Sequence, residues 1–146
     1  MNANKEVHIC ITADEVSEEK CRENLLHELN SIIEDSNLFH KTLAIDMCVS
    51  EAVISYYLNG SRPITVDRLC AVCIAMRLDP HEQRRLFTVA GWAMPDYDGR
   101  GTVREQMIRH YMDFCRKDHS LTVKRCNGEL RRKGYEPLTA KRGKRS

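Results

Sequence analysis

Glycine and proline are scarce in this sequence, with 7 and 4 among its 146 residues. Collagen-like and low-complexity chains are rich in both residues, and β proteins with many turns need them at those turns. No apolar run approaches the roughly 18 residues that cross a bilayer. These absences argue against fibrous, β-rich and membrane-spanning proteins, and we expect no membrane partner.

The N-terminal residues carry no targeting signal that we can identify. Residues 1–11 lack both the basic start and the apolar stretch of a signal peptide. The seven cysteines stand at unrelated spacings, whereas the disulfide framework of a secreted protein normally uses an even number. We therefore expect reduced thiols and a cytoplasmic protein.

Motifs of common enzyme classes are also missing. The patterns G-x-x-x-x-G-K, G-x-S-x-G and G-x-G-x-x-G do not occur, and His81-Glu82 begins a zinc-protease pattern whose second histidine position holds Arg85. Cys70 and Cys73 form one C-x-x-C pair, with no second pair to complete a zinc site. Both fall on the apolar face of a predicted helix, which predicts buried thiols. We expect no enzyme, no metal and no cofactor.

Charge is unevenly distributed, although the net charge is only +2. Residues 1–37 carry three basic side chains against nine acidic ones, residues 38–100 carry seven of each, and residues 101–146 carry thirteen against five. A basic chain end often has an anionic partner, and the alternative is a solvated tail that keeps the protein soluble. The candidate phosphate contacts in the tail are Lys141, Arg142, Lys144 and Arg145.

Apolar residues recur at spacings of three and four along most of the chain, which predicts seven helices. The first is predicted from Ser17 to Asp35, after an arm (residues 1–16) in which residues 7–12 form either a short strand or a disordered segment. Four more helices follow up to Ala90, then a linker at residues 94–102 and two helices near 103–116 and 122–134. The predicted fold is all-α, with a five-helix domain at residues 17–93 and a two-helix extension with a basic tail at residues 103–146.

The most informative segment is residues 38–63, LFHKTLAIDMCVSEAVISYYLNGSRP. It predicts two short helices with almost no chain between them, so the helices must cross at a large angle. The first helix can then rest on a DNA backbone while the second presents its outer face to the major groove. The residues predicted on the inner side are Leu43, Ala44, Val49, Ile54 and Tyr57.

This segment resembles the Cro/C1-type helix-turn-helix family, also called the XRE family. The resemblance spans about residues 26–92 and implies a bundle of five helices. It also implies sequence-specific binding of duplex DNA, usually as a dimer and usually to regulate transcription in a prokaryotic, phage or mobile-element setting. The matching residues are Leu43-Ala44, Val49-Ser50, Ile54-Ser55, Asn59-Gly60 and Arg62-Pro63, followed by Leu69, Ile74 and Leu78 in and just after the fourth helix.

The resemblance also implies which residues contact DNA. Residues near the start of helix 2 and Arg62 touch the phosphate backbone, while the exposed positions of helix 3, about residues 50–58, face base edges. We therefore expect a regulator, more specifically a repressor, that reads the major groove with helix 3. The implied DNA-contacting residues are His40, Lys41, Ser50, Glu51, Ala52, Ser55, Tyr56 and Arg62.

The segment departs from the family pattern in ways that favour a second hypothesis. Cys48 stands where the family usually has glycine, and Phe39 and Ile45 are apolar where it often has polar residues. Residues 38–62 carry two basic side chains against two acidic ones. A neutral face with apolar side chains suits a protein-interaction adaptor, for instance an antitoxin-like or defence-system accessory subunit, built on the same fold.

Helix 6 carries an apolar stripe that predicts either a homodimer interface or packing against helix 5. We expect the dimer, because a single helix-turn-helix reads few base pairs and specific sites normally combine two half-sites. The stripe consists of Met107, Ile108, Tyr111, Met112 and Cys115.

Overall fold

The computed structural model describes the backbone of residues 3–139 and the side chains of residues 18–139. This part of the chain forms seven α-helices and no strand, which confirms the all-α prediction. The predicted phosphate contacts Lys141, Arg142, Lys144 and Arg145 lie outside the described residues. The helices are α1 (Ala3–Ser36), α2 (His40–Met47), α3 (Glu51–Leu58), α4 (Val66–Ala75), α5 (Pro80–Ala90), α6 (Val103–Phe114) and α7 (Val123–Arg132).

Helix α1 begins far earlier than predicted. The prediction of a helix start at Ser17 and a preceding strand or disordered arm is wrong for residues 3–16, which continue the same helix. The hydroxyl of Ser17 followed by two acidic residues mimics a helix start. However, no glycine or proline interrupts residues 3–36, so nothing in the sequence ends the helix there.

Five helices begin at a side chain that accepts a hydrogen bond from the backbone N–H three residues later. Asp79 forms a full capping box with Glu82 ahead of Pro80 at the first helical position. These caps fix the helix starts locally. The capping residues are Ser50, Thr65, Asp79, Thr102 and Thr122.

Helix α4 lies at the centre of the protein. Its six consecutive residues from Leu69 to Ile74 are all buried, and a helix that is apolar on every side must be covered on every side. Helices α2, α6 and α7 pack around it. The burial of Cys70 and Cys73 confirms that they are core residues, and burial raises the pKa of both thiols.

Helices α6 and α7 complete this core, so the predicted dimer interface is wrong for four of its five residues. Ile108, Tyr111, Met112 and Cys115 are buried within the chain, and Met107 packs against the same core half-buried. The principal neighbours of α6 are α4 and α7, rather than α5. The sequence does not reveal this packing, because periodicity shows that a helix has an apolar face but not which helices cover it.

The predicted linker between α5 and α6 is a folded turn. The Asp96 carboxylate accepts a hydrogen bond from the Gly101 N–H at 2.7 Å, and Glu105 of α6 accepts one from the Asp96 N–H at 3.1 Å. The Arg109 guanidinium donates to the Pro95 carbonyl at 3.1 Å. These bonds hold the turn against α6.

We predict that Ile108→Ala lowers the free energy of unfolding by about 2–5 kcal/mol, because it opens a cavity in a well-packed core. Val103→Ala on the same helix is the matched control, since its side chain is 53% exposed; it should change stability by no more than about 0.5 kcal/mol. Urea denaturation followed by circular dichroism measures both variants. A wild-type midpoint that rises with protein concentration, together with an Ile108→Ala variant as stable as the control, would instead favour the interface prediction.

Candidate nucleic-acid interface

The connection between α2 and α3 is a three-residue turn, Cys48 to Ser50. Cys48 adopts the left-handed conformation with φ 62° and ψ 40°. The Val49 N–H donates to the Ala44 carbonyl at 2.9 Å and so closes the end of α2. This short turn brings α2 and α3 into contact.

The inner face of this helix pair is packed as predicted. Leu43, Ala44, Ile54 and Tyr57 are buried, and Val49 in the turn is half-buried. The Tyr57 hydroxyl lies 2.7 Å from a guanidinium nitrogen of Arg68 on α4, which donates to it. The side of the pair that faces the core is therefore fixed, and the opposite side is exposed.

The eight residues that the family resemblance implied are all exposed. His40 and Lys41 occupy the first turn of α2, and the polar positions Glu51 and Ser55 lie on α3. Ser50 precedes α3 as its N-cap, where its hydroxyl accepts a hydrogen bond from the Val53 N–H at 3.3 Å. Its hydroxyl hydrogen is still available to a ligand.

Tyr56 and Arg62 form one unit. The Arg62 guanidinium stacks over the Tyr56 ring at 4.6 Å from the centroid, and the Arg62 N–H donates to the Tyr56 carbonyl at 3.3 Å. Stacking engages the face of the guanidinium and leaves its edge, which carries the N–H donors, free to meet an anion. The loop after α3 therefore presents a pre-positioned cation beside the exposed face of α3.

The electrostatics of α2 and α3 are nearly balanced. Lys41 and Arg62 are the basic residues of this region, and Asp46 and Glu51 oppose them; all four are exposed. Phosphate contacts supply a large share of the affinity of most DNA-binding proteins. The charges of this face alone therefore give a weak attraction for DNA.

Two large apolar side chains are exposed on or next to α2. Phe39 is 77% exposed and Ile45 is 66% exposed. A phosphate backbone gains nothing from such side chains, whereas a protein partner can bury them. Single exposed apolar residues are common on protein surfaces, but these two flank the residues expected to meet DNA.

The structure brings the C-terminal segment to this region, which the sequence analysis missed. The buried Asn127 side chain accepts hydrogen bonds from the Leu138 and Thr139 N–H groups at 2.8 and 3.3 Å, and donates to the Thr139 carbonyl and hydroxyl at 3.1 and 2.9 Å. The Thr139 hydroxyl in turn donates to the carbonyl of Met47 at 2.7 Å. The last described residue is thus fastened to the end of α2, beside the α2–α3 turn.

Other classes of site find little support in the described residues. Residues 18–139 contain no group of three or more His, Cys, Asp or Glu side chains placed to hold a metal ion. Burial raises the pKa of Cys126 to about 12, which disfavours the thiolate that metal binding needs. None of the helices in the described part of the chain is both long and apolar enough to cross a membrane.

We predict that Cys48→Gly is more stable than Cys48→Ala by about 1 kcal/mol, because a left-handed backbone strains any residue with a β-carbon but not glycine. Both variants lack the thiol, so their difference reports the backbone alone. At the exposed helical position Thr42 the order should reverse, with Gly less stable than Ala by about 1 kcal/mol. Thermal unfolding of the four variants measures both differences. If Cys48→Ala is as stable as Cys48→Gly, the left-handed backbone at residue 48 is not strained.

Comparison of the chain with protein-family models, with curated proteins and with solved structures finds no match in any of the three. The resemblance to the Cro/C1-type family therefore rests on the residues of the α2–α3 pair and of α4 described above.

Proposed function

We propose that the protein is a sequence-specific duplex DNA-binding transcriptional regulator that inserts α3 into the major groove. The observation that carries this proposal is the exposed face of α3. Three of its four exposed side chains are polar, and the helix follows α2 through a turn of three residues. These features support the proposal because helix-turn-helix proteins use two closely joined helices, the first of which crosses the DNA backbone while the second reads base edges.

The residues of this face suit different parts of a duplex. The Ser55 hydroxyl can address a base edge, the Ala52 methyl can meet a thymine methyl, and the Glu51 carboxylate can accept a hydrogen bond from a cytosine amine. Arg62, held by its stack on Tyr56, addresses a phosphate. A single chain presents one such face, so we propose that two copies bind two half-sites, through a surface other than the buried stripe of α6.

The adaptor function is the second candidate, and the exposure of Phe39 and Ile45 favours it. In that case α2 and α3 dock on a partner protein, and the near-neutral face avoids repelling it. The two functions depend on different side chains of the same surface. DNA reading depends on Ser55 and Tyr56, while docking depends on the two apolar side chains.

We predict that replacing both Ser55 and Tyr56 with alanine weakens specific DNA binding at least fivefold, because a good base contact contributes about 1–3 kcal/mol. The specific site is first obtained by sequencing duplexes that the purified protein selects from a random pool, and a mobility-shift titration then measures affinity. The control pair is His81→Ala with Thr88→Ala, two exposed positions on α5. Helicity should be unchanged in both pairs.

Two results would contradict the DNA-binding function. One is a random pool that yields no enriched sequence. The other is an enriched site that the Ser55/Tyr56 variant binds as tightly as the wild type does. If instead replacement of Phe39 and Ile45 with serine abolishes a defined protein complex while no DNA is selected, the adaptor function stands in its place.

A further inference from the structure

Helix α7 and its C-terminal cap carry a dense group of exposed basic side chains. Residues 123–133 contain five of them against one carboxylate, that of Glu129. This contrasts with residues 38–62, which span α2, α3 and the start of the following loop and carry two basic and two acidic side chains. The five basic residues are Lys124, Arg125, Arg131, Arg132 and Lys133.

Glu129 neutralises only one edge of α7. Its carboxylate lies 3.4 Å from the Arg125 guanidinium and 4.0 Å from that of Arg132. Within the described part of the chain, no carboxylate lies within ion-pair distance of Lys124 or Arg131. These two cations are therefore uncompensated, and a ligand can meet them without first breaking an ion pair.

Lys124 and Arg131 lie on the same side of α7 as Asn127. They lie three residues before and four residues after Asn127, and such spacings place side chains on the same side of a helix. The Asn127 side chain donates a hydrogen bond to the Thr139 hydroxyl, which in turn donates to the carbonyl of Met47 at the end of α2. The uncompensated charges thus flank the point where α7 meets the α2–α3 pair.

The face between these two charges is open. Gly128 lies between them, and a β-carbon added there would meet no atom within 4 Å. The seven helical steps from Lys124 to Arg131 cover roughly 10 Å along the helix, about the length of three base-pair steps of a duplex at roughly 3.4 Å of rise each. A backbone of regularly spaced phosphates can therefore lie along this face and meet both cations.

We infer that Lys124 and Arg131 form a phosphate-binding surface for the backbone of a nucleic-acid duplex, next to the α2–α3 turn. The inference rests on the proposed function, since the duplex is the one that α3 reads. It explains how an α2–α3 region without net positive charge is held on DNA: α3 supplies base contacts, and α7 supplies the positive charge.

The test compares two double variants that remove the same charge from opposite edges of α7. Lys124→Gln with Arg131→Gln removes the uncompensated pair, and Arg125→Gln with Arg132→Gln removes the pair that faces Glu129. All four side chains are exposed, so folding should survive, and circular dichroism checks this. Fluorescence anisotropy measures affinity for the selected duplex and for a duplex of scrambled sequence, between about 50 and 200 mM KCl.

For the Lys124/Arg131 variant we expect the log–log salt slope to shrink by up to about 1.8, or about 0.9 for each lost phosphate contact. The loss should be equal for both duplexes, because phosphates carry no sequence information. The Arg125/Arg132 variant should change the slope by less than about 0.9, the value for a single phosphate contact. A charge-conserving swap, Lys124→Arg with Arg131→Lys, should keep the wild-type slope.

An unchanged slope in the Lys124/Arg131 variant would overturn the inference, and so would equal changes in both double variants, which would show an effect of net charge alone. Whether the wild type selects a duplex distinguishes failure of the α7 inference from failure of the proposed function. If it selects a duplex and the slope is unchanged, only the α7 surface is wrong. If it selects no duplex, for example because the basic face meets an acidic protein instead, both the function and the α7 surface are wrong.

Discussion

The burial of α4 on every side is the constraint on which the rest of the structure depends. Six consecutive residues of this helix have no polar side that could face water, so the free energy of folding favours any arrangement that surrounds it. Helices α1–α3 and α5 cannot enclose it alone, and α6 and α7 close the remaining sides. Two helices that the sequence presents as an appendage are therefore part of the one core.

The packing of α7 against α4 also determines where the basic side chains of α7 lie. Because α7 packs against both α4 and α2, Asn127 can hold residues 138 and 139, and Thr139 can bond to the carbonyl that ends α2. Buried polar groups such as these are costly without partners, and here each has one. The result is a short buried network that places the basic helix α7 beside the turn between α2 and α3, in a region where residues 38–62 carry equal numbers of basic and acidic side chains.

Local features were largely predictable from the sequence, and long-range ones were not. Caps such as Asp79 with Glu82, the bounds of α2 and α3, and the burial of Cys70 and Cys73 follow from residue type and spacing. The start of α1 was missed because Ser17 mimics a cap within an unbroken helix. The burial of Tyr111 and the bond from Thr139 to Met47 depend on segments up to 92 residues apart, a distance that no periodicity reports. The charges of α7 were visible as composition, but their place beside α2 was not.

The central claim is that the exposed face of α3 and the Lys124–Arg131 face of α7 contact one duplex together. The most direct measurement is an NMR titration of ¹⁵N-labelled protein with the duplex that it selects from a random pool. The amides of residues 50–56 and those around Lys124 and Arg131 should shift along the same saturation curve, while the exposed residues of α5 remain unchanged. Shifts confined to the amides of α1 and α5 would contradict the claim. So would α7 amides that do not shift while those of α3 reach saturation.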